Sequence, residues 1–393
     1  MTRIRVAQIT TRLNVGGIAH QVLGVCEGLD PTRFECTLIA GRPGRFEGQM
    51  LDYVERQPGR LHLIPELGRD VFWRDLPAFL KLVRLLRRLR PDVVHTHAAK
   101  AGALGRLAAW MAGVPVRVHS YHGHVFRGYF HPIAEALIVR IERWLGHLTS
   151  VVLLPSESQR DEIVDDFQIV PSEKTRVVRY GISVEEASCL PDQQEIRRRF
   201  QLESRLVVGM LGRMAPIKNH ALTVDGFARL QSRADVPDVQ LLLAGEGETR
   251  ADLEQQVARL GLGERVRFQG FQRDLRDVYA ALDVLVIASR NEGVPIAALE
   301  AMAAGVPLIV TAVGGLVDLI RDGENGWHTP LDDPEQLAVV LHHALTSPEE
   351  RTRVADAARR DVEARYRAET IHLELGHLYR DAVHRAGARS PES

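Results

Sequence analysis

Two glutamates, Glu292 and Glu300, bracket the apolar run GVPIAAL, and a β-rich run, VLVIAS (284–289), ends just before them. Pro295 suits the first turn of a helix, where its missing N–H costs nothing. Glu292 is therefore expected in a loop at the carboxyl end of a strand, and Glu300 more than one turn into the next helix. A carboxylate accepts two hydrogen bonds and is a natural partner for adjacent hydroxyls. Two carboxylates so placed could read two diols, one on each side of a diphosphate. A nucleotide sugar has that layout: ribose, diphosphate, hexose. The plainer alternative is one acidic residue favouring the helix dipole and one surface glutamate.

A second cluster follows the run LVVGML. In GRMAPIKNH (212–220), Gly212 lets the chain turn and Asn219 is placed to cap the next helix. Arg213 and Lys218 are then two cations beside a helix N-terminus, where exposed amides and the dipole favour a diphosphate. Solvated surface charge is the alternative. The first strand ends similarly, in RLNVGGIAHQ, where Gly16 and Gly17 precede a helix and permit close backbone approach to an anion, or simply a tight turn. Neither a GxGxxG fingerprint nor a P-loop lysine motif is found, which counts against a dehydrogenase or a nucleoside triphosphatase.

Histidines form a third group. His95 and His97 share one strand face by period two, and His119, His122 and His124 follow in the next strand and its loop. No acidic or cysteine partner accompanies them, so polar pocket lining is expected rather than a metal site. Lys100 opens a helix directly after His97, where it could meet a phosphate or remain solvated. The stretch LPAFLKLVRLLRRLR (76–90) is amphipathic, and Arg84, Arg87, Arg88 and Arg90 could touch anionic lipid headgroups. It could equally be a crossover helix with solvated charges, and the apolar helix 132–148, with Trp144, is open in the same way.

The elements that must position these residues alternate strand and helix twice along the chain. Strands are expected at 4–10, 34–40, 61–64, 92–97, 116–122 and 150–155, then at 206–212, 239–245, 266–270, 284–289 and 307–312, with helical patterns between. That rhythm means parallel sheets covered on both faces, in two doubly wound α/β domains. We expect an N-terminal domain over 1–185, a linker over 186–204 and a C-terminal domain over 205–365. A C-terminal helix and tail over 366–393 would pack back toward the first domain. Ligands of open parallel sheets sit at the carboxyl strand ends, so the site is expected in a cleft where the domains face. The chain's 393 residues suit two domains, and its net charge of −1 argues against a nucleic-acid binder. Three scattered cysteines suit a reducing cytoplasm. No stretch reads as a signal peptide or a membrane span.

At this point the motifs carry a resemblance. EGVPIAALE is similar to the E-x7-E signature of the retaining glycosyltransferases of family 4, and LGRMAPIKN to that family's donor-phosphate motif. LLLAGEGETR, VRFQGF and AMAAGVPLIVTAVGG resemble further segments of its donor domain. VVHTHAAKAG, VHSYHGHVF and RYGISVEE resemble its N-terminal domain in members acting in bacterial capsule and exopolysaccharide assembly. The resemblance covers nearly the whole chain and implies the GT-B fold, two Rossmann-like domains facing across a cleft. It implies that Glu300 holds the ribose hydroxyls, Glu292 contacts the transferred sugar, and Arg213 and Lys218 hold the diphosphate with backbone near Gly16 and Gly17. Gly245, Gly293, Val294 and Pro295 would complete the donor site, with the base read by backbone at Phe271, Gln272 and Arg273. His122 would lie beside donor sugar and acceptor, with His97, Lys100, His124 and Arg127 on the acceptor side. Many relatives carry an acidic residue after the diglycine where this chain has Ala19.

The implied reaction is retaining transfer by front-face attack, in which the leaving phosphate takes the acceptor's proton. Neither cofactor nor metal is expected, the nucleotide sugar, a UDP-sugar, being a substrate. The expected partners are a glycan or polyprenyl-linked acceptor and an anionic membrane surface, with the protein cytoplasmic or peripheral on the inner face of the plasma membrane. A nucleotide-sugar 2-epimerase and a silent membrane-docking module are the competing readings.

Overall fold

The computed structural model describes residues 3–13, 17–41, 60–68, 72–123, 126 and 131–387. The chain forms two compact units, Met1–Gly181 with Ala368–Ser393, and Ile182–Arg367. Among the described residues the first unit holds seven strands: β1 (Ile4–Thr10), β2 (Phe34–Ala40), β3 (Leu61–Leu63), β4 (Val93–His97), β5 (Val116–Ser120), β6 (Val151–Leu154) and β7 (Thr175–Val177). All pair in parallel, in the order β3-β2-β1-β4-β5-β6-β7. Both faces are covered, and the central strands are buried throughout most of their length although β1 carries Gln8 and β4 carries His95, Thr96 and His97. On one face Val6, Val93 and Val118 pack against Val25 of helix Gly17–Gly28 and against Ile371, Leu375 and Tyr379 of helix Ala368–Arg385. On the other, Ile9 and Val94 meet Leu82 and Leu86 of helix Asp75–Leu89 and Ala101 and Ala108 of helix Ala99–Met111.

The second unit holds β8 (Leu206–Leu211), β9 (Val239–Ala244), β10 (Val266–Gly270), β11 (Val284–Ile287), β12 (Leu308–Thr311) and β13 (Trp327–Thr329). The order is β10-β9-β8-β11-β12-β13, again all parallel. Val208, Leu241 and Val286 form its core with Val224, Phe227, Leu337 and Leu341 from the covering helices. In each sheet the chain reverses direction of travel between two neighbouring strands, β1 and β4 in one and β8 and β11 in the other. Such switch points leave a crevice at the carboxyl strand ends where ligands bind.

Two features differ from the expectations. Residues 186–204 are not a free linker. Ser183 and Asp192 cap helices Val184–Ser188 and Gln193–Arg199 by accepting from Glu186 N and Glu195 N, and Arg197 Nη2 donates to Asp283 Oδ2 at 2.6 Å. The polar run is thus two capped helices docked on the second unit. Helix Pro348–Arg365 belongs to the second unit and helix Ala368–Arg385 to the first. The break lies where Ile182 N donates to Tyr366 O at 2.8 Å and Arg367 pairs with Glu185. Strands β7 and β13, three residues each, were not anticipated, being too short to show a pattern. Among the described residues no helix is long and apolar enough to cross a membrane.

Candidate functional site

The loop after β8 and the loop after β11 meet at the switch point of the second sheet. Lys218, ending a short 3-10 turn (Pro216–Lys218), donates its ammonium to Glu292 Oε1. Ser289 Oγ donates to the same oxygen at 2.6 Å, and Thr311 Oγ1 holds the Ser289 carbonyl at 2.6 Å. The Glu292 backbone is set by glycines: a Cβ on Gly314, whose φ is +50°, would stand 2.0 Å from the Glu292 carbonyl oxygen. Asn219 is not the expected side-chain cap. It sits in the left-handed region (φ 57°), and its amide donates to Asp332 Oδ1 at 3.1 Å instead.

Arg213 lies in the same loop as Lys218 but has a different partner. It makes a two-pronged pair with Glu248, Nη2 to Oε1 at 2.8 Å and Nε to Oε2 at 3.2 Å. Glu248 follows β9, the strand beside β8. The two loops touch through backbone: Met214 N donates to the Glu246 carbonyl at 2.9 Å, and a Cβ on Gly245 (φ +137°) would meet the Gly212 oxygen at 2.0 Å.

Glu300 lies in helix Ile296–Ala303, behind Pro295. Its Oε2 bonds the Tyr279 hydroxyl at 2.8 Å. Burial pushes its carboxyl up to about 7; the tyrosine hydrogen bond opposes this, and the negative charges of Glu186 and Asp274 add to it. A carboxyl poised at neutrality can accept from a diol once ionised.

In the first unit His95, His97 and His122 lie on one continuous hydrogen-bonded chain, while His119 Nδ1 meets Thr96 Oγ1 at 2.9 Å instead. Tyr180 hydroxyl meets His122 Nδ1 at 2.7 Å, and His122 Nε2 meets His97 Nδ1 at 2.9 Å. His97 Nε2 meets Gln8 Oε1 at 2.7 Å, and Gln8 Nε2 donates to the Tyr379 hydroxyl at 3.0 Å. That hydroxyl reaches His95 Nδ1 at 2.6 Å, and His95 Nε2 reaches Ser120 Oγ at 2.7 Å. Burial holds the rings neutral, lowering His95 to about 3, His122 to about 4 and His97 well below its ordinary value. With Gln8 Oε1 accepting, the neutral rings of His97 and His122 each have only one consistent tautomer. His97 donates from Nε2, His122 donates from Nε2 to His97, and Tyr180 donates to His122. Turning the Gln8 amide over would reverse every bond from Gln8 through His97 and His122 to Tyr180, and the one to Tyr379. Both ring nitrogens of His122 are used within the unit, so its ring is not presented as a proton acceptor.

Residues 15–186 match the family model described as Glycosyltransferase Family 4, and residues 192–361 the model described as Glycosyl transferases group 1. A GDP-mannose-dependent alpha-mannosyltransferase from Mycobacterium tuberculosis is 30% identical over 398 residues, covering 96% of this chain and 97% of the relative. The chain belongs to glycosyltransferase family 4. A UDP-Gal:alpha-D-GlcNAc-diphosphoundecaprenol alpha-1,3-galactosyltransferase from Escherichia coli is 26% identical, covering 86% of this chain and 87% of that relative. Anabaena HepE, solved in complex with UDP-glucose, superposes with a TM-score of 0.80 at 21% identity, covering 96% of this chain and 99% of that one. The glycosyltransferase has the GT-B fold.

Of the residues singled out in the sequence of this glycosyltransferase, Lys218 and Glu292 are in direct contact. Arg213 and Glu300 each bind a partner of their own in the second unit. Phe271 is exposed, and Gln272 Nε2 donates to the Gln269 carbonyl at 2.6 Å, both beside Arg273 in the turn after β10. Gly293 and Val294 are buried in the loop before Pro295. Gly17 opens the helix after β1. Lys100 is half-buried and paired with Asp75 at 2.5 Å, not solvated. Gly16, His124 and Arg127 lie outside the described residues. Among the described residues no three His, Cys, Asp or Glu side chains form a group able to hold a metal ion. Sequence reasoning missed Glu248, Tyr279 and Ser289 in the second unit, and Gln8, Tyr180 and Tyr379 in the first. Glu248, Ser289 and Tyr180 lie in segments singled out there, GEGETR (245–250), VLVIAS (284–289) and RYGISVEE (179–186), and the other three lie in none.

Proposed function

We propose that this glycosyltransferase moves a hexose from a UDP-sugar, with retention at the anomeric carbon, to a glycan or polyprenyl-linked acceptor in cell-surface polysaccharide synthesis. The observation that carries this reading is the Lys218–Glu292 contact, made by loops after the adjacent strands β8 and β11. A phosphate-binding cation and a hydroxyl-binding carboxylate stand side by side there, as a sugar joined to a diphosphate requires. Arg213 and Lys218 take the diphosphate, exchanging their carboxylate partners Glu248 and Glu292 for phosphate oxygens. Glu292, released, accepts from the hexose hydroxyls, and Glu300 accepts from the ribose. The turn Phe271–Arg273 reads the base through backbone, and amides near Gly17 approach the diphosphate.

In the step itself the bond from the anomeric carbon to the β-phosphate oxygen breaks. The acceptor oxygen bonds that carbon on the same face, and the acceptor proton passes to the departing phosphate. Arg213, Lys218 and the nearby helix N-terminus stabilise the departing charge without calling on a metal ion. No protein base is needed, which suits a His122 whose ring nitrogens are both engaged. The UDP assignment is supported by the Escherichia coli relative, named for UDP-Gal, and by the Anabaena complexes. The reaction is placed at the inner face of the plasma membrane, where a polyprenyl-linked acceptor would be met.

A screen by mass spectrometry tests the reading, with UDP- and GDP-sugars offered against glycan and polyprenyl-linked acceptors. Transfer from a UDP-sugar to give an α-configured product from an α-configured donor is expected. Conversion of a nucleotide sugar to its isomer with no acceptor present would replace the reading with an epimerase.

A further inference from the structure

Helix Pro132–Leu148 has two apolar faces. Leu145 and Gly146 are buried inward beside Glu142, whose carboxylate is locked to Arg106 at 2.6 Å and to the Tyr121 hydroxyl at 2.8 Å. On the opposite side Ile133, Leu137, Ile141 and Trp144 recur at helical spacing and form one outward stripe, Ile133 being 76% exposed. An apolar helix face is normally buried; among the described residues nothing covers this stripe.

The pattern continues across the same layer. Helices Asp75–Leu89, Ala99–Met111 and Pro132–Leu148 lie in sequence on one face of the first sheet. Trp73 (81% exposed), Leu76 and Leu80 run along the outside of the first, and Trp110 and Met111 end the second. Among the described residues, nine of the sixteen exposed large hydrophobic residues lie here, and so do three of the chain's four tryptophans. Scattered exposed hydrophobics need no explanation, but a contiguous set marks an interaction surface.

Charge decides what the surface fits. Arg84, Arg87, Arg88, Arg140 and Arg143 are exposed on these helices. Their acidic residues are Asp75, paired with Lys100; Glu142, buried against Arg106; and Glu135, half-buried. The layer is therefore cationic in a chain whose net charge is −1. A second copy seated on this face would bring arginine against arginine. An anionic bilayer would instead meet arginines with phosphates and tryptophans with the headgroup level, where that side chain concentrates.

We propose that the outer surface of these three helices docks on an anionic lipid bilayer, with the Ile133–Trp144 stripe and Trp73 sunk among the headgroups and the arginines on lipid phosphates. This rests on the lipid-linked acceptor of the reading above. Leu76 and Ile133 stand at the N-terminal ends of their helices. Crossover helices run against the strands, so this is the end at which β4 and β5 deliver Lys100 and His122. An acceptor held in the bilayer is then offered to that end of the sheet.

The full chain is floated with phosphatidylcholine vesicles with and without phosphatidylglycerol, over a salt series, and its tryptophan emission is read with brominated lipid. Binding to the anionic vesicles only, weakened by salt, with quenching of emission, is expected. Leu137→Glu with Ile141→Glu should cut partitioning about tenfold or more, and Arg84→Gln with Arg87→Gln and Arg88→Gln should remove its salt dependence. All of these positions are exposed, so folding is retained. Equal partitioning onto both vesicle types, or no response to either variant, would overturn the proposal. So would a dimer in sedimentation that the Leu137→Glu variant makes monomeric. UDP-glucose binding is measured on the same variants in solution. Vesicle binding without nucleotide-sugar binding leaves docking standing and removes the donor reading, and the reverse removes docking alone.

Discussion

Replacing Tyr279 by phenylalanine should shift the pH at which the enzyme binds its donor, without touching the donor itself. Burial holds the Glu300 carboxyl at about 7 against an ordinary 4.5, and the Tyr279 hydroxyl, 2.8 Å away, pulls it down by donating to the ionised form. A hydrogen bond to a charged group is worth about 1.5–3 kcal/mol, which is about 1–2 pH units. Tyr279→Phe should therefore raise the midpoint to about 8–9. If ionised Glu300 receives the ribose hydroxyls, donor affinity in the native protein climbs through pH 7 and levels above it. At pH 6 it is about tenfold below the plateau. In Tyr279→Phe the loss at pH 7 is about tenfold or more and is recovered in alkali. Calorimetric titration with UDP-glucose reads this cleanly, because a sugar-esterified diphosphate has no proton to lose near neutrality, unlike a terminal phosphate. Glu300→Gln should bind weakly with no pH dependence. Stability gives a second reading. A carboxyl raised on folding contributes stability below pH 4.5 that is lost as pH rises toward 7, a fall of about 3 kcal/mol that Glu300→Gln should abolish. A native binding curve flat from pH 5.5 to 8.5, or a Tyr279→Phe midpoint that moves down, would refute the reasoning.

Arg213→Ala and Lys218→Ala should each lower turnover by about 10²–10³, the cost of losing one preorganised group from a departing charge. Steady-state kinetics showing Arg213→Ala within twofold of native turnover would remove it from the site. Gly314→Ala adds a methyl 2.0 Å from the Glu292 carbonyl, at a φ of +50°. It should raise KM for the nucleotide sugar and lower the melting temperature by several degrees, and unchanged kinetics would mean that the Glu292 loop is not held from behind. Tyr379→Phe removes the hydroxyl that joins Gln8 to His95. The first unit should lose about 1–3 kcal/mol of stability, and nitrogen-15 spectra should show His95 and His97 in mixed tautomers; unaltered histidine resonances would break the relay.

The long strands were legible because parallel strands buried on both faces become unbroken apolar runs, such as LVVGML and VLVI, and turn residues bound them. The residues proposed for the donor were legible for a related reason. Arg213, Lys218 and Glu292 stand in loops just after such runs, where a sheet of this kind presents its ligands. The break at Tyr366–Arg367 lies beside the boundary expected between 365 and 366, although neither glycine nor proline marks it. It is imposed by Ile182 and Glu185, far away in the chain. The partners of the site were hidden by the same circumstance. Tyr279 meets Glu300 across two helices, and Tyr379 reaches Gln8 and His95 from the last helix of the chain. Strand order is the missing quantity. Once β9 is known to lie beside β8, Glu248 must stand next to Arg213, because each follows its strand by a few residues in a parallel pair. Once β11 is known to lie on the other side, Lys218 must meet Glu292. The two cations proposed for the diphosphate thus take their carboxylate partners from opposite neighbours of one strand. Binding of a diphosphate between them would draw on β9 and β11 together, so substitutions at Glu248 and Glu292 should couple through the ligand although the residues follow different strands.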